Sequence, residues 1–385
     1  MINKISDSVL KRIKCFPRSV WHTVDKLLVI GAHEKTNGGT AVVRIGGIGD
    51  MILSIPLLCN IKVTNGPVTL ICSSKHRYME EIFPYCADYF IFYDDSKFRK
   101  NIFYRRKFLR NIAEKGFYQI IQSGISRQQG GADVICWAAR AKKTVGFYQR
   151  PWHTCEKNIS NSWFDTLIDG KYGQKHELDR LSMLDSSCPD YELCLTALQA
   201  KKYAVDAING YAVISVGAST SVREWDIGNF IEVAREIQKI GLLPVFVGTE
   251  KDKVGLDKYH VDFNHKNLVG KLTTKEYVEL LKNSEIIICN ESSPMHIGVI
   301  FGRYTIAIVS GGEFNNYCNY PKHLSKNLLV IHAQDTHCFN CGWRCIYKNN
   351  DDKPFPCLEK IDSHRVIKEI FLYMDFTDMS VNNKI

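Results

Sequence analysis

Asn290, Glu291, Ser292 and Ser293 lie between an apolar run, Ile286-Ile287-Ile288, and Pro294, and residues of these types in this order could hold an anion. The β-branched run predicts a buried parallel strand and Ser293-Pro294 predicts a helix start, with serine as cap and proline at the first helical position, where its missing N–H is no loss. Unpaired backbone N–H groups at the positive end of the helix dipole suit a phosphate. A second group stands near the start of the chain: Arg44, Gly46, Gly47, Gly49 and Asp50, a glycine turn between a cation and a carboxylate. Glycine there lets a ligand approach the backbone closely, and Asp50, just ahead of a helix, reads as an N-cap.

These groups need sheets to position them. AVVRI (41–45), VTLICSS (68–74), YQIIQSG (118–124) and AKKTVGFYQR (141–150) read as strands alternating with helices, DMILSIPLLCNI (50–61) among them. A second series follows: GYAVISVG (210–217), LPVFVG (243–248), the strand at 285–289 and YTIAIVS (304–310), with helices at 229–241 and 274–283, the latter opened by a Thr273/Glu276 capping box. The fold class is α/β, two tandem Rossmann-like parallel-sheet domains, and ligands of such sheets gather beyond the carboxyl ends of the strands. In the second series those ends carry Gly217-Ala218-Ser219-Thr220 with Arg223, Gly248-Thr249-Glu250, the 290–296 stretch and Gly311-Gly312. Small hydroxyls, a cation, a carboxylate and a helix start suit a sugar nucleotide: diphosphate at the first and third ends, ribose hydroxyls at the second. The organisation expected is a basic helical arm at 1–40, a first domain at 41–200, a second at 205–345, and a C-terminal loop and closing helix at 346–385.

The motifs resemble glycosyltransferase family 9, the bacterial heptosyltransferases. Arg44, Gly49 and Asp50 match its Arg-x-x-x-x-Gly-Asp pattern, Gly217-Ala218-Ser219 precede Arg223-Glu224-Trp225 as its Gly-Ala-Ser precedes a basic residue two before Trp, and Glu291 to His296 stand where it carries Asp-Thr-Gly-Pro-x-His. The resemblance spans about residues 41 to 375 and implies a GT-B type, inverting, metal-independent transferase. It implies Asp50 as the base for the acceptor hydroxyl, Ser219, Thr220 and Arg223 on the diphosphate, Glu250 on the ribose, and Glu291, Ser292, Ser293, Pro294, Met295 and His296 on the rest of the donor. Arg44, Gly46, Gly47 and Gly49 would meet the acceptor. No cofactor is expected beyond the nucleotide sugar, ADP-heptose first among them, with no divalent metal for catalysis. The expected acceptor is a lipid-linked or phosphorylated glycan such as a lipopolysaccharide core. Asp-x-Asp, the pattern expected when a cation carries the diphosphate, does not occur in the chain.

Composition sets the outer limits. With 385 residues and 45% apolar content the chain fills two ordinary domains, and 50 Lys and Arg against 41 Asp and Glu favour an anionic partner. No apolar run reaches membrane-spanning length, and the charged N-terminus is unlike a secretory signal, so the expected location is the cytoplasm or, peripherally, the anionic inner-membrane surface. Ile2, Ile5, Val9, Ile13 and Phe16 share one helical arc with lysines outside it, a face for the bilayer or for the protein's own core. The basic, aromatic stretch at 97–115 reads as one solvated amphipathic helix, and nucleic acid is not an expected partner. Cys338, Cys341, Cys345 and Cys357 approximate four-thiolate spacing; unmetallated thiols are the expectation, with a structural metal the alternative. Other functions left open are a different sugar-nucleotide reaction such as epimerisation, a basic membrane- or nucleic-acid-binding module, and an inactive scaffold.

Overall fold

The computed structural model describes residue 25 and residues 38–148, 160–185, 210–333, 338–347 and 353–382, with side chains of the last helix described to residue 372. The amphipathic arc at 2–16 lies outside them. The chain divides into two units, Met1–Cys194 and Leu195–Ile385.

In the first unit β1 (Thr40–Val43), β2 (Val68–Ser73), β3 (Tyr89–Tyr93), β4 (Gln119–Gln122), β5 (Lys143–Phe147) and β6 (Thr166–Ile168) form one sheet in the order β3-β2-β1-β4-β5-β6. In the second, β7 (Tyr211–Ser215), β8 (Leu243–Val247), β9 (Lys266–Asn267), β10 (Ile286–Asn290), β11 (Tyr304–Ile308) and β12 (Leu328–Ile331) repeat it as β12-β11-β10-β7-β8-β9. All strand pairs are parallel. Both orders are the dinucleotide-binding order 3-2-1-4-5-6, which reverses between β1 and β4 and between β7 and β10; loops leaving the carboxyl ends there part and open a crevice.

The centres of the sheets follow from sequence. Every residue of β1, β2, β4, β7 and β10 is buried, as expected of parallel strands covered on both faces. The second core joins Ile214, Ile288 and Ile306 to Trp225, Phe230 and Ile237, and Val366 and Ile370 of the closing helix join it too. The first gathers Val43, Ile71 and Ile120 around Phe98, Phe108 and Ile112.

Four local readings are corrected. The stretch at 97–115 is two helices, Asp95–Lys100 and Ile102–Glu114, broken at Asn101, whose side chain caps the second through the Tyr104 N–H. Its Arg105 is buried, paired with Asp25 and stacked on Phe98 with 4.4 Å from guanidinium carbon to ring centroid. The segment 50–61 also falls in two helices, Ile48–Leu53 and Ile55–Asn65. Asp50 is at the third helical position, with Gly47 as N-cap, and Ser292 replaces Ser293 as N-cap of the helix Ser293–Ile300, which makes Pro294 the second helical residue and not the first. The Thr273/Glu276 capping box is present as read.

Candidate active site

At the β1/β4 switch point the chain leaves β1 through Arg44, which is 1% exposed. A buried guanidinium must be neutralised and hydrogen-bonded. Arg44 Nη1 donates to the Ser123 carbonyl beyond β4 at 2.7 Å, Nε to the Asp50 carbonyl at 3.1 Å, and Nη2 to Asp50 Oδ1 at 3.0 Å and Glu177 Oε1 at 2.8 Å. Glu177 also pairs with buried Arg180, so two cations and two carboxylates alternate from Arg180 to Asp50. The second Asp50 oxygen accepts from the Gly47 N–H at 2.9 Å. A Cβ on Gly46 would lie 2.4 Å from that oxygen, so the turn needs glycine there for the carboxylate to fold back. Asp50 is thus fixed at both oxygens while a third of its side chain stays exposed. Gly46 and Gly47 are open to solvent, and Gly49 is partly so.

Beside it His76 Nε2 meets the Gly46 carbonyl at 3.1 Å, and burial holds this histidine below its ordinary range despite the nearby Asp95 and Asp50. Sequence reasoning passed over Glu177, Arg180 and His76. His176 caps the helix Glu177–Ser182 by accepting the Leu178 N–H.

At the β7/β10 switch point Asn290 braces the two strand ends: its Nδ2 donates to the Val216 carbonyl at 2.7 Å and its Oδ1 accepts from the Trp225 N–H at 2.8 Å. This fixes the loop from Gly217 to Glu224. Ser219 and Thr220 are exposed, and Arg223 turns back to donate from Nε to Thr220 Oγ1 at 3.3 Å. The Arg223 guanidinium carbon stands 4.4 Å from the Trp343 ring centroid, a cation–π contact, and its two terminal nitrogens have no hydrogen-bond partner among the described residues. Ser219, Thr220, Val222 and Arg223 line a pocket of about 520 Å³ together with Trp343, Arg344, Cys345 and Phe355.

Glu291 sits behind this wall, 4% exposed. Its Oε2 accepts from Ser310 Oγ at 2.8 Å, and Ser310 Oγ in turn accepts from the Trp343 indole N–H at 3.3 Å. Burial pushes Glu291 up to about 7, helped by Glu313 and opposed by Ser310 and Arg223. Ser292 and Ser293 are half-buried at the helix start, Pro294 and Met295 are buried, and His296 is buried with Nδ1 at 2.6 Å from Tyr320 Oη. Glu250 stands apart from the pocket, largely exposed on the first turn of the helix Glu250–Leu256, 3.5 Å from Lys253 Nζ. The Asp252 carboxylate folds over Gly217 and Gly248, where a Cβ would fall 2.3 Å and 2.7 Å from it. Sequence reasoning missed Asp252, Ser310, Trp343 and Arg344. Cys338, Cys341, Cys345 and Cys357 are free thiols; among the described residues no group of three or more His, Cys, Asp or Glu is arranged to hold a metal ion.

Two Rossmann-like parallel-sheet units define a GT-B type protein, and solved structures share that fold. E. coli ADP-heptose lps heptosyltransferase II matches at TM-score 0.64 and 14% identity, covering 88% of this chain and 99% of that one. E. coli heptosyltransferase WaaC with ADP matches at TM-score 0.66 and 13% identity, covering 87% and 99%. Residues 181–340 match glycosyltransferase family 9 (heptosyltransferase), so over that stretch the chain is family 9-like, as its motifs indicate. Lipooligosaccharide heptosyltransferase 2 of Campylobacter jejuni subsp. jejuni serotype O:6 is 25% identical over 170 residues, 42% of this chain and 51% of that protein. The chain therefore spans about half the length of the curated relative it matches. Among the described residues no helix is long and apolar enough to cross a membrane.

Proposed function

We propose that the protein is an inverting, metal-independent glycosyltransferase that moves a heptose or related sugar from a nucleotide donor, ADP-heptose first, to a lipopolysaccharide-core or similar glycan acceptor at the cytoplasmic face of the inner membrane. The observation that carries this is the pocket at the end of β7, lined by Ser219, Thr220 and Arg223, whose two terminal nitrogens have no hydrogen-bond partner among the described residues. A diphosphate fits that chemistry: charge-assisted hydrogen bonds from a guanidinium held over an indole ring, with hydroxyl donors alongside.

Two groups of residues carry the chemistry in this reading. The acceptor hydroxyl is a poor nucleophile and gives its proton to Asp50, whose carboxylate Arg44 and the Gly47 N–H hold in one orientation. The freed oxygen bonds to the anomeric carbon as the bond from that carbon to the diphosphate breaks, and configuration inverts. Negative charge grows on the departing nucleoside diphosphate, where Arg223 and the helix start at Ser292–Pro294 stabilise it more than in the ground state. Glu250 on the ribose and Glu291 behind the pocket complete the donor side in this reading.

Titration calorimetry with ADP tests it. The wild-type protein is expected to bind, and Arg223→Gln to weaken binding by about 10- to 100-fold, the loss of charged hydrogen bonds. Equal affinity in the variant would remove Arg223 from the donor site.

A further inference from the structure

The far wall of the pocket is not built by the strand ends that carry the motifs. It is the loop at 338–347, folded onto the end of β11. The Asn340 N–H donates to the Gly311 carbonyl at 2.6 Å, the Gly342 N–H to the Gly312 carbonyl at 2.8 Å, and Asn340 Oδ1 accepts from the Asn315 N–H at 2.7 Å. Asn340 and Trp343 both adopt positive φ, 62° and 57°, and Gly312 has no room for a side chain because a Cβ there would lie 2.1 Å from the indole. Left-handed backbone at non-glycine residues costs about 1–3 kcal/mol each, so surrounding contacts must enforce it. They seat the Trp343 ring against Arg223 with its N–H on Ser310, and bring Arg344, the next residue, into the pocket wall. The Phe355 N–H donates to the Val222 carbonyl at 2.9 Å, tying together two further residues of the lining.

Two arginines and two hydroxylated residues line about 520 Å³, a volume and a charge that match a diphosphate better than one phosphate group. We propose that the 338–347 loop is part of the donor site: Arg344 is a second cation on the diphosphate, and Trp343 is a positioning residue that holds the Arg223 guanidinium for it, so the pocket selects a diphosphate over a monophosphate. This rests on the donor reading above and extends it to residues outside the family motifs. The two arginines share the terminal phosphate, while a nucleoside monophosphate reaches only the Ser219 and Thr220 side.

The test is calorimetry on the full chain with ADP, AMP and inorganic pyrophosphate as probes, comparing wild type with Arg344→Gln, Trp343→Leu and Trp343→Phe. Arg344→Gln is expected to weaken ADP and pyrophosphate by about 10- to 100-fold and to change AMP by less than about threefold. Trp343→Leu is expected to weaken ADP similarly, and Trp343→Phe, which keeps a ring under Arg223, to recover most of it. Arg344 is exposed, and the thermal midpoint of each variant checks that the fold survives the replacement. If Arg344→Gln and Trp343→Leu bind ADP like wild type while Arg223→Gln does not, the loop proposal fails and the donor reading stands. Wild-type protein that binds neither ADP nor pyrophosphate overturns both.

Discussion

Asp50→Asn is expected to lower turnover by about 10²- to 10⁴-fold, the usual contribution of a positioned base, with nucleoside diphosphate affinity unchanged. Asparagine is the informative replacement because its side-chain oxygen still accepts from the Gly47 N–H and keeps the helix start, while the amide cannot take a proton at neutral pH. Arg44 retains Glu177 and the Ser123 carbonyl, so its buried charge stays compensated. A falling kcat with donor affinity intact separates this effect from loss of binding, since the pocket proposed for the donor is lined wholly by residues of the second unit. Turnover at the wild-type level in Asp50→Asn would exclude Asp50 as the base.

Glu291 yields the second large effect, on stability. Its carboxyl is pushed by burial from an ordinary 4.5 to about 7 in the folded protein. Around it stand Ser310, Glu313, Arg223 and the Cys318 thiol, and the carboxylate charge has too little compensation from them to offset desolvation. A raised folded-state value means that the folded protein holds this proton more tightly than the unfolded chain does. The contribution to stability is then whole below about pH 4.5 and is lost as pH rises through about 7. By pH 8 the loss approaches about 3 kcal/mol. Glu291→Gln, neutral throughout and similar in shape, is expected to lack that decline, so the difference in unfolding free energy between variant and wild type should grow in the variant's favour from pH 5 to pH 8. Urea denaturation at unit pH intervals measures it, and parallel profiles would show that Glu291 ionises normally.

Which parts of this arrangement the sequence discloses follows a physical rule. The strands legible in the chain, β1, β2, β4, β5, β7, β8, β10 and β11, are the interior ones, and those that were not, β3, β6, β9 and β12, are the four edges of the two sheets. An interior parallel strand is covered on both faces and reads as a continuous apolar run. An edge strand has one neighbour and carries exposed residues, as in β3, or is only two or three residues long, as in β9 and β6, so no periodic signal accumulates.

The candidate site divides in the same way. Ser219, Thr220, Arg223 and Asp50 lie in the connections and first helical turn after β7 and β1, where strand ends and the motif spacing locate them. Glu177 meets Arg44 across 133 residues, and Trp343 reaches Ser310 across 33, through contacts that only the folded chain creates. A signal for Trp343 existed in the stretch from Cys338 to Cys345, where the Trp343-Arg344 pair stands between cysteines whose spacing suggests a thiolate cluster. Capping at Asp50 was legible as chemistry but not as position: the carboxylate caps from the third helical residue because glycine leaves room for it to fold back.

The most direct test of the donor-pocket and base arrangement is transfer itself. The protein is mixed with ADP-heptose and a lipopolysaccharide-core acceptor in the presence of a chelator, and ADP release and acceptor mass are followed together. The account predicts ADP release matched by a gain of one heptose on the acceptor, unaffected by the chelator. Absence of transfer from every nucleotide sugar in a panel, by protein that still binds ADP, or transfer that stops when divalent cations are removed, would contradict it.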